Sequence, residues 1–61
     1  MNTETNFDFF MKVIKLLANS QGFYGRLLEE VKKNQEEYEE YINTKAPKFK
    51  DNLDVVMWLE G

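Results

Sequence analysis

The chain is 61 residues long and carries 11 acidic and 8 basic side chains, a net charge of −3, with neither cysteine nor histidine. That composition excludes disulfides, zinc sites built from Cys and His, and the His- or Cys-centred pairings of acid–base and nucleophilic catalysis. A chain this short buries only about 60% of its unfolded surface, so it needs either self-association or the dense packing that its five Phe, three Tyr and one Trp favour.

Met1–Glu4 is polar and reads as a frayed start. Met1–Asp8 has acids and no basic segment, and Lys12 and Lys15 interrupt the apolar stretch Phe9–Ala18, so no signal peptide is expected. No apolar run approaches the roughly 20 residues that span a bilayer, which makes a cytoplasmic protein the expectation. Thr5 followed by Asp8 resembles a capping box and predicts a helix over about 6–18. Phe7, Phe10, Ile14 and Leu17 share one face of it, with Phe9, Val13 and Leu16 alongside. An apolar arc that broad predicts a helix nearly surrounded by partners, stopped by Asn19-Ser20.

Ser20 then reads as the N-cap of a second helix over about 21–33. Leu27, Leu28 and Val31 lie on the face that Phe23 and Tyr24 begin. Gly22 and Gly25 leave bare backbone on its first turns. Glycine costs about 1 kcal/mol in a helix interior, so a pair of them predicts another segment crossing at close range. Lys32 and Lys33 suit the negative end of this helix. Asn34 with Glu37 fits a further capping box and predicts a break before a third helix over about 35–43. Positions 24, 28, 31, 35, 38 and 42 keep an unbroken spacing, so one helix over 21–44 also satisfies the pattern. That alternative sets Asn34 or Gln35 on the apolar seam, where an unbonded polar group is costly.

In the third helix Tyr38, Tyr41 and Ile42 are expected to face inward and Glu36, Glu37, Glu39 and Glu40 outward. Asn43–Lys50 reads as a loop, since Pro47 biases Ala46 away from helix, with Phe49 as its anchor in the core. Asp51 caps a last helix over about 52–60 with Asp54 in its first turn. Leu53, Val56 and Met57 share one side of it, Val55 and Leu59 another, with Trp58 between, which predicts a helix either wedged into the bundle or lying against a partner. Gly61 terminates it, and this tail is expected to belong to the fold. No alternating pattern or hairpin signal predicts a strand. The expectation is an all-α protein, residues 1–61 forming a single compact bundle of four short helices.

The function classes narrow in the same way. Ser20 is the best-placed hydroxyl, and a helix cap explains it. The glutamates read as a solvated helix face. Asp51, Asn52 and Asp54 lack the glycine and distal glutamate of a calcium loop. No catalytic, metal or cofactor residue is therefore assigned, and the chain is not expected to be an enzyme. Ile14–Lys33 partly fits a helix-turn-helix, with Leu17, Ala18, Gly22, Phe23, Leu28 and Val31 near its core and turn positions and Tyr24, Gly25 and Arg26 offered to a groove. Against nucleic acid stand Gln21 where an apolar residue is wanted, Glu29 and Glu30 facing phosphates, and the acidic balance. Charge is uneven: residues 1–28 carry +1 and residues 29–45 carry −3. Lys32 and Lys33 interrupt the acids, so that stretch is no one-sign imitation of a phosphate backbone. The leading expectation is a protein partner or a self-dimer, with no small-molecule substrate, and a nucleic-acid-associated regulator reading through the second helix is the alternative. Gly22, Tyr24, Gly25, Arg26 and Trp58 are the candidate contact surface, since Tyr, Trp and Arg are enriched at binding hot spots.

The block Leu16-Leu17-Ala18-Asn19-Ser20-Gln21-Gly22-Phe23-Tyr24-Gly25-Arg26-Leu27, the segment Phe49-Lys50-Asp51-Asn52-Leu53-Asp54-Val55-Val56 and the closing Leu59-Glu60-Gly61 together resemble a group of short uncharacterised proteins. These are carried by phages and by integrative or plasmid-borne elements of Gram-positive bacteria. The resemblance covers most of the chain, and the third helix matches only in character. It implies a mobile-element accessory protein in a bacterial cytoplasm and carries over no catalytic residue.

Overall fold

Helix α1 (Asn6–Ser20) begins at the predicted cap: the Thr5 hydroxyl accepts the Asp8 N–H at 3.1 Å, and the Asp8 carboxylate accepts the Thr5 N–H at 3.3 Å. The structure, a computed structural model, describes residues 4–61, so most of the stretch expected to fray, Met1–Thr3, lies outside the described residues. Glu4 lies 2.6 Å from Lys12 Nζ, and this hydrogen bond, then the attraction between the two charges, raises the Lys12 pKa above its ordinary 10.5.

Along α1, Phe7, Phe10, Val13 and Ile14 are buried. Leu16 is 57% exposed, because 3.6 residues per turn rotate it about 120° from Phe10. Leu17 is half-buried at the edge of the core. The helix runs two residues past its expected end, and Ser20 accounts for this. Its Oγ donates back to the Leu16 carbonyl at 3.4 Å and the Gln21 N–H donates to Leu17 at 2.8 Å, so Ser20 closes α1 and does not cap the next helix.

Helix α2 (Phe23–Lys33) starts instead at Gly22, with no side-chain cap. Its first bonds are tight ones to residues three back, Tyr24 N–H to Gln21 and Gly25 N–H to Gly22 at 3.1 and 2.9 Å. Tyr24 and Val31 are buried, Leu27 and Leu28 half-buried, and Phe23 is 65% exposed. The chain then breaks at Asn34 (φ −120°, ψ 43°) before α3 (Gln35–Thr44). The break is as expected, but the capping box is not formed. The Asn34 amide turns back and donates to the Glu30 carbonyl at 3.2 Å and to its carboxylate at 3.3 Å. Ile42 is the fully buried residue of α3, and Tyr38 is half-buried. Tyr41, expected inward, is 52% exposed, since one residue's rotation of about 100° carries it out of the seam that holds Ile42.

Helix α4 (Asn52–Glu60) is capped by Asp51, whose carboxylate accepts the Asp54 N–H at 3.0 Å, while Asp54 in turn accepts the Lys50 N–H at 2.9 Å. Val55 is fully buried, Val56, Trp58 and Leu59 are half-buried, and Leu53 and Met57 are each 62% exposed. This helix is therefore laid against the bundle along one side rather than wedged into it.

Helix α1 lies close to all three others and α2 to α3, whereas the backbone of α4 comes close to that of α1 alone among the helices. Phe7, Phe10, Val13, Ile14, Val31, Ile42, Phe49 and Val55 make one core, with Phe49 anchoring the α3–α4 loop as expected. The described residues form an all-α bundle of four short helices with no strand. None of its helices is long and apolar enough to cross a membrane.

Polar bonds of long sequence separation close the bundle at the start of α1. The Asn6 side-chain amide donates to the carbonyls of Ile42 and Pro47 at 3.1 and 2.9 Å, and its oxygen accepts the Phe49 N–H at 2.8 Å. The neighbouring Phe7 N–H, free at a helix N-terminus, donates to Asn43 Oδ1 at 2.9 Å.

Candidate functional site

The five residues singled out as a contact surface do not come together. Tyr24 is only 7% exposed, its ring packed 4.3 Å from that of Phe23. Arg26 is exposed. Gly22 and Gly25 face open space, with no atom within 4 Å of where a Cβ would sit, so no segment crosses there and the close approach expected from them is absent. Trp58 belongs elsewhere: the backbones of α2 and α4 do not come close to one another. Trp58 borders Glu30 and Asn34 at the far end of α2, and the eight residues from Gly22 to Glu30 correspond to about 12 Å of helix. Of the three side chains offered to a groove by a helix-turn-helix reading, Tyr24 is buried and Gly25 has none, leaving Arg26 alone.

The structure instead builds a surface around Trp58. Its indole is set edge-on against Phe10 (centroids 6.0 Å, 87°) and Phe49 (5.6 Å, 65°), both buried. That packing fixes the outer part of the ring beside Tyr41, at 6.3 Å and 42°. On one side of Trp58 lies an open cleft of about 470 Å³ lined by Glu30, Asn34, Glu37, Tyr38, Tyr41 and Trp58. On the other is a hollow of about 330 Å³ that includes Pro47, Phe49, Asp54 and Met57. The indole forms the shared wall, with Tyr41 and Met57 exposed to either side.

No family model, curated protein or solved structure matches this chain. What the cleft can do is therefore read from its own walls. Three aromatic rings supply flat apolar faces. Glu30 and Glu37 supply carboxylates, and the Asn34 amide tethers the first of them. Among the described residues no three carboxylates gather as a potential metal-ligand set.

Of this lining only Trp58 belongs to the contact surface expected from the sequence; Glu30 and Glu37 read there as solubilising charge, and Tyr38 and Tyr41, though of hot-spot type, as interior. A signal was present, because positions 30, 34, 37, 38 and 41 keep the three- and four-residue spacing of a single helical face. The break at Asn34 bends that face into a concave wall, and α4 brings the opposite one.

Proposed function

We propose that this is a non-enzymatic binding protein that contacts another protein through the surface centred on Trp58. The observation that carries the reading is the exposure of Tyr41 and Met57, at 52% and 62%, on either side of an indole pinned by the core. The bundle closes a complete core without them. Side chains of these types, held rigid and partly wet, are the kind that dominate protein interfaces. Leu53, one turn before Met57 on α4 and also 62% exposed, extends the apolar strip. The resemblance to phage and mobile-element proteins supplies the setting: an accessory factor in a bacterial cytoplasm.

Tagged protein incubated with lysate of a Gram-positive host tests this, with the Tyr41→Ser/Met57→Ser variant in parallel. A captured protein retained by the parent chain and by Phe23→Ser, but lost from Tyr41→Ser/Met57→Ser, supports the reading. Capture indifferent to Tyr41 and Met57 refutes it.

A further inference from the structure

The cleft between the α2–α3 bend and α4 has a lining of unusual composition for a surface that would merely hide apolar atoms. Its six residues are three aromatics, two carboxylates and a carboxamide, with no cationic side chain. Lysines open onto the adjoining hollows, Lys48 on the far side of the indole among them. Lys32 and Lys33 line a neighbouring hollow that shares Asn34 and Glu37, and Lys45 lines another that shares Glu37 and Tyr41. The Asn34 amide donates to the Glu30 carbonyl and, at 3.3 Å, to the Glu30 carboxylate, tethering that group at the wall of the cleft.

Resting on the protein-binding reading, we infer that the cleft receives an arginine side chain of the partner, flanked there by apolar residues. Charge complementarity identifies this occupant. Aromatic faces attract a cation through their quadrupoles, and carboxylates accept its N–H groups. The guanidinium is planar, so it lies flat on a Tyr or Trp ring while its edge donates to Glu30 and Glu37. A compact, strongly hydrated ammonium has no planar face to stack and matches the pair less well. The apolar flanks meet Tyr41 and, beyond the indole, Met57. An anionic or purely apolar segment leaves the two carboxylates facing a like charge or losing water without a bond in return.

Trp58 is the single tryptophan of the chain, so its fluorescence reports the cleft directly. The probe is acetyl-Leu-Arg-Leu-amide, titrated beside the peptide in which citrulline, isosteric and uncharged, replaces arginine. The arginine peptide saturates at millimolar concentration, weakens with added salt, and shifts backbone amide resonances from Glu30 to Tyr41 and at Trp58. The citrulline peptide binds about tenfold more weakly or worse, as does the arginine peptide to Glu30→Gln/Glu37→Gln. Both glutamates are exposed, and an unchanged circular dichroism spectrum verifies that this variant is folded. Equal binding of the two peptides, unaltered binding by the glutamine variant, resonance shifts confined to the α1–α2 corner, or no saturation each overturn the inference. So does a concentration-dependent dimer in sedimentation that Tyr41→Ser dissolves, since the occupant is then a second copy. If the arginine probe fails while lysate capture still depends on Tyr41 and Met57, only the arginine assignment falls. If capture ignores those residues, the protein-binding reading falls with it.

Discussion

Replacing Asn6 with alanine removes three hydrogen bonds at once, to the Ile42 and Pro47 carbonyls and from the Phe49 N–H. Each contributes about 0.5–1.5 kcal/mol net, with the solvent-facing bond to Pro47 at the low end, so Asn6→Ala costs about 2–3 kcal/mol. A 61-residue chain at roughly 0.05–0.15 kcal/mol per residue holds only about 3–9 kcal/mol in all, so this one side chain accounts for a large share. Thermal unfolding followed by circular dichroism should show a midpoint lowered by about 10–20 °C. Hydrogen exchange should show the Phe49 amide losing protection first. Asn6→Asp sharpens the test. It keeps the acceptor for Phe49 and gains about 0.3–1 kcal/mol from the positive end of α1, but it points a carboxylate at two carbonyl oxygens and provides neither donor. Its net effect is destabilising too. An Asn6→Ala loss below about 0.5 kcal/mol, or an Asn6→Asp variant as stable as the parent, would show that these bonds do not hold the loop.

Ile14→Ala and Ile42→Ala, both at 0% exposure, should each cost about 2–5 kcal/mol by denaturant titration, whereas half-buried Leu17→Ala and Leu28→Ala should each cost less, about 1–2 kcal/mol; equal losses at all four sites would contradict the burial pattern. Gly25→Ala places a methyl group in open space inside a helix and should stabilise by about 0.5–1 kcal/mol, read as a rise in melting temperature; a fall would mean that something packs there. Asp51→Ala deletes the α4 cap and should cost about 1 kcal/mol, with the amides of the first turn of α4 exchanging faster. Tyr41→Ser should cost no more than about 0.5–1.5 kcal/mol, the range of its tilted pairing with Trp58, since the side chain is 52% exposed; a larger loss in thermal unfolding would place Tyr41 in the core.

Local chemistry made the helices readable. Thr5 with Asp8, and Asp51 with Asp54, announce their caps within four residues, and the Asn34 break follows from the cost of carrying a polar residue along the seam. Ser20 was ambiguous because a short hydroxyl can cap forward or bond back to the carbonyl four residues earlier, and only the register of α1 decides. The glycines misled for a related reason. Gly22 and Gly25 invite a close crossing, but whether one occurs depends on the path of a distant segment, and here none comes near. Asn6 left no local trace at all, as its partners lie 36 to 43 positions away. Trp58 was singled out by its residue type alone. Its neighbours were not, since Glu30, Asn34 and Tyr41 become one wall only when the chain bends between α2 and α3.

The knot of amide bonds at Asn6 also bears on the order in which the molecule assembles. The α1–α2 and α2–α3 contacts are near in sequence and can form early, but the Asn6–Phe49 link spans 43 positions and becomes a short closure only after the Asn6–Ile42 and Phe7–Asn43 bonds have set α3 beside α1. The final loop should therefore dock late, a latch thrown after the first three helices have met. Substitutions at Phe49 should accelerate unfolding and barely slow folding. Until that latch is thrown Trp58 lacks its Phe49 support, so the surface around the indole is the last part of the protein to mature.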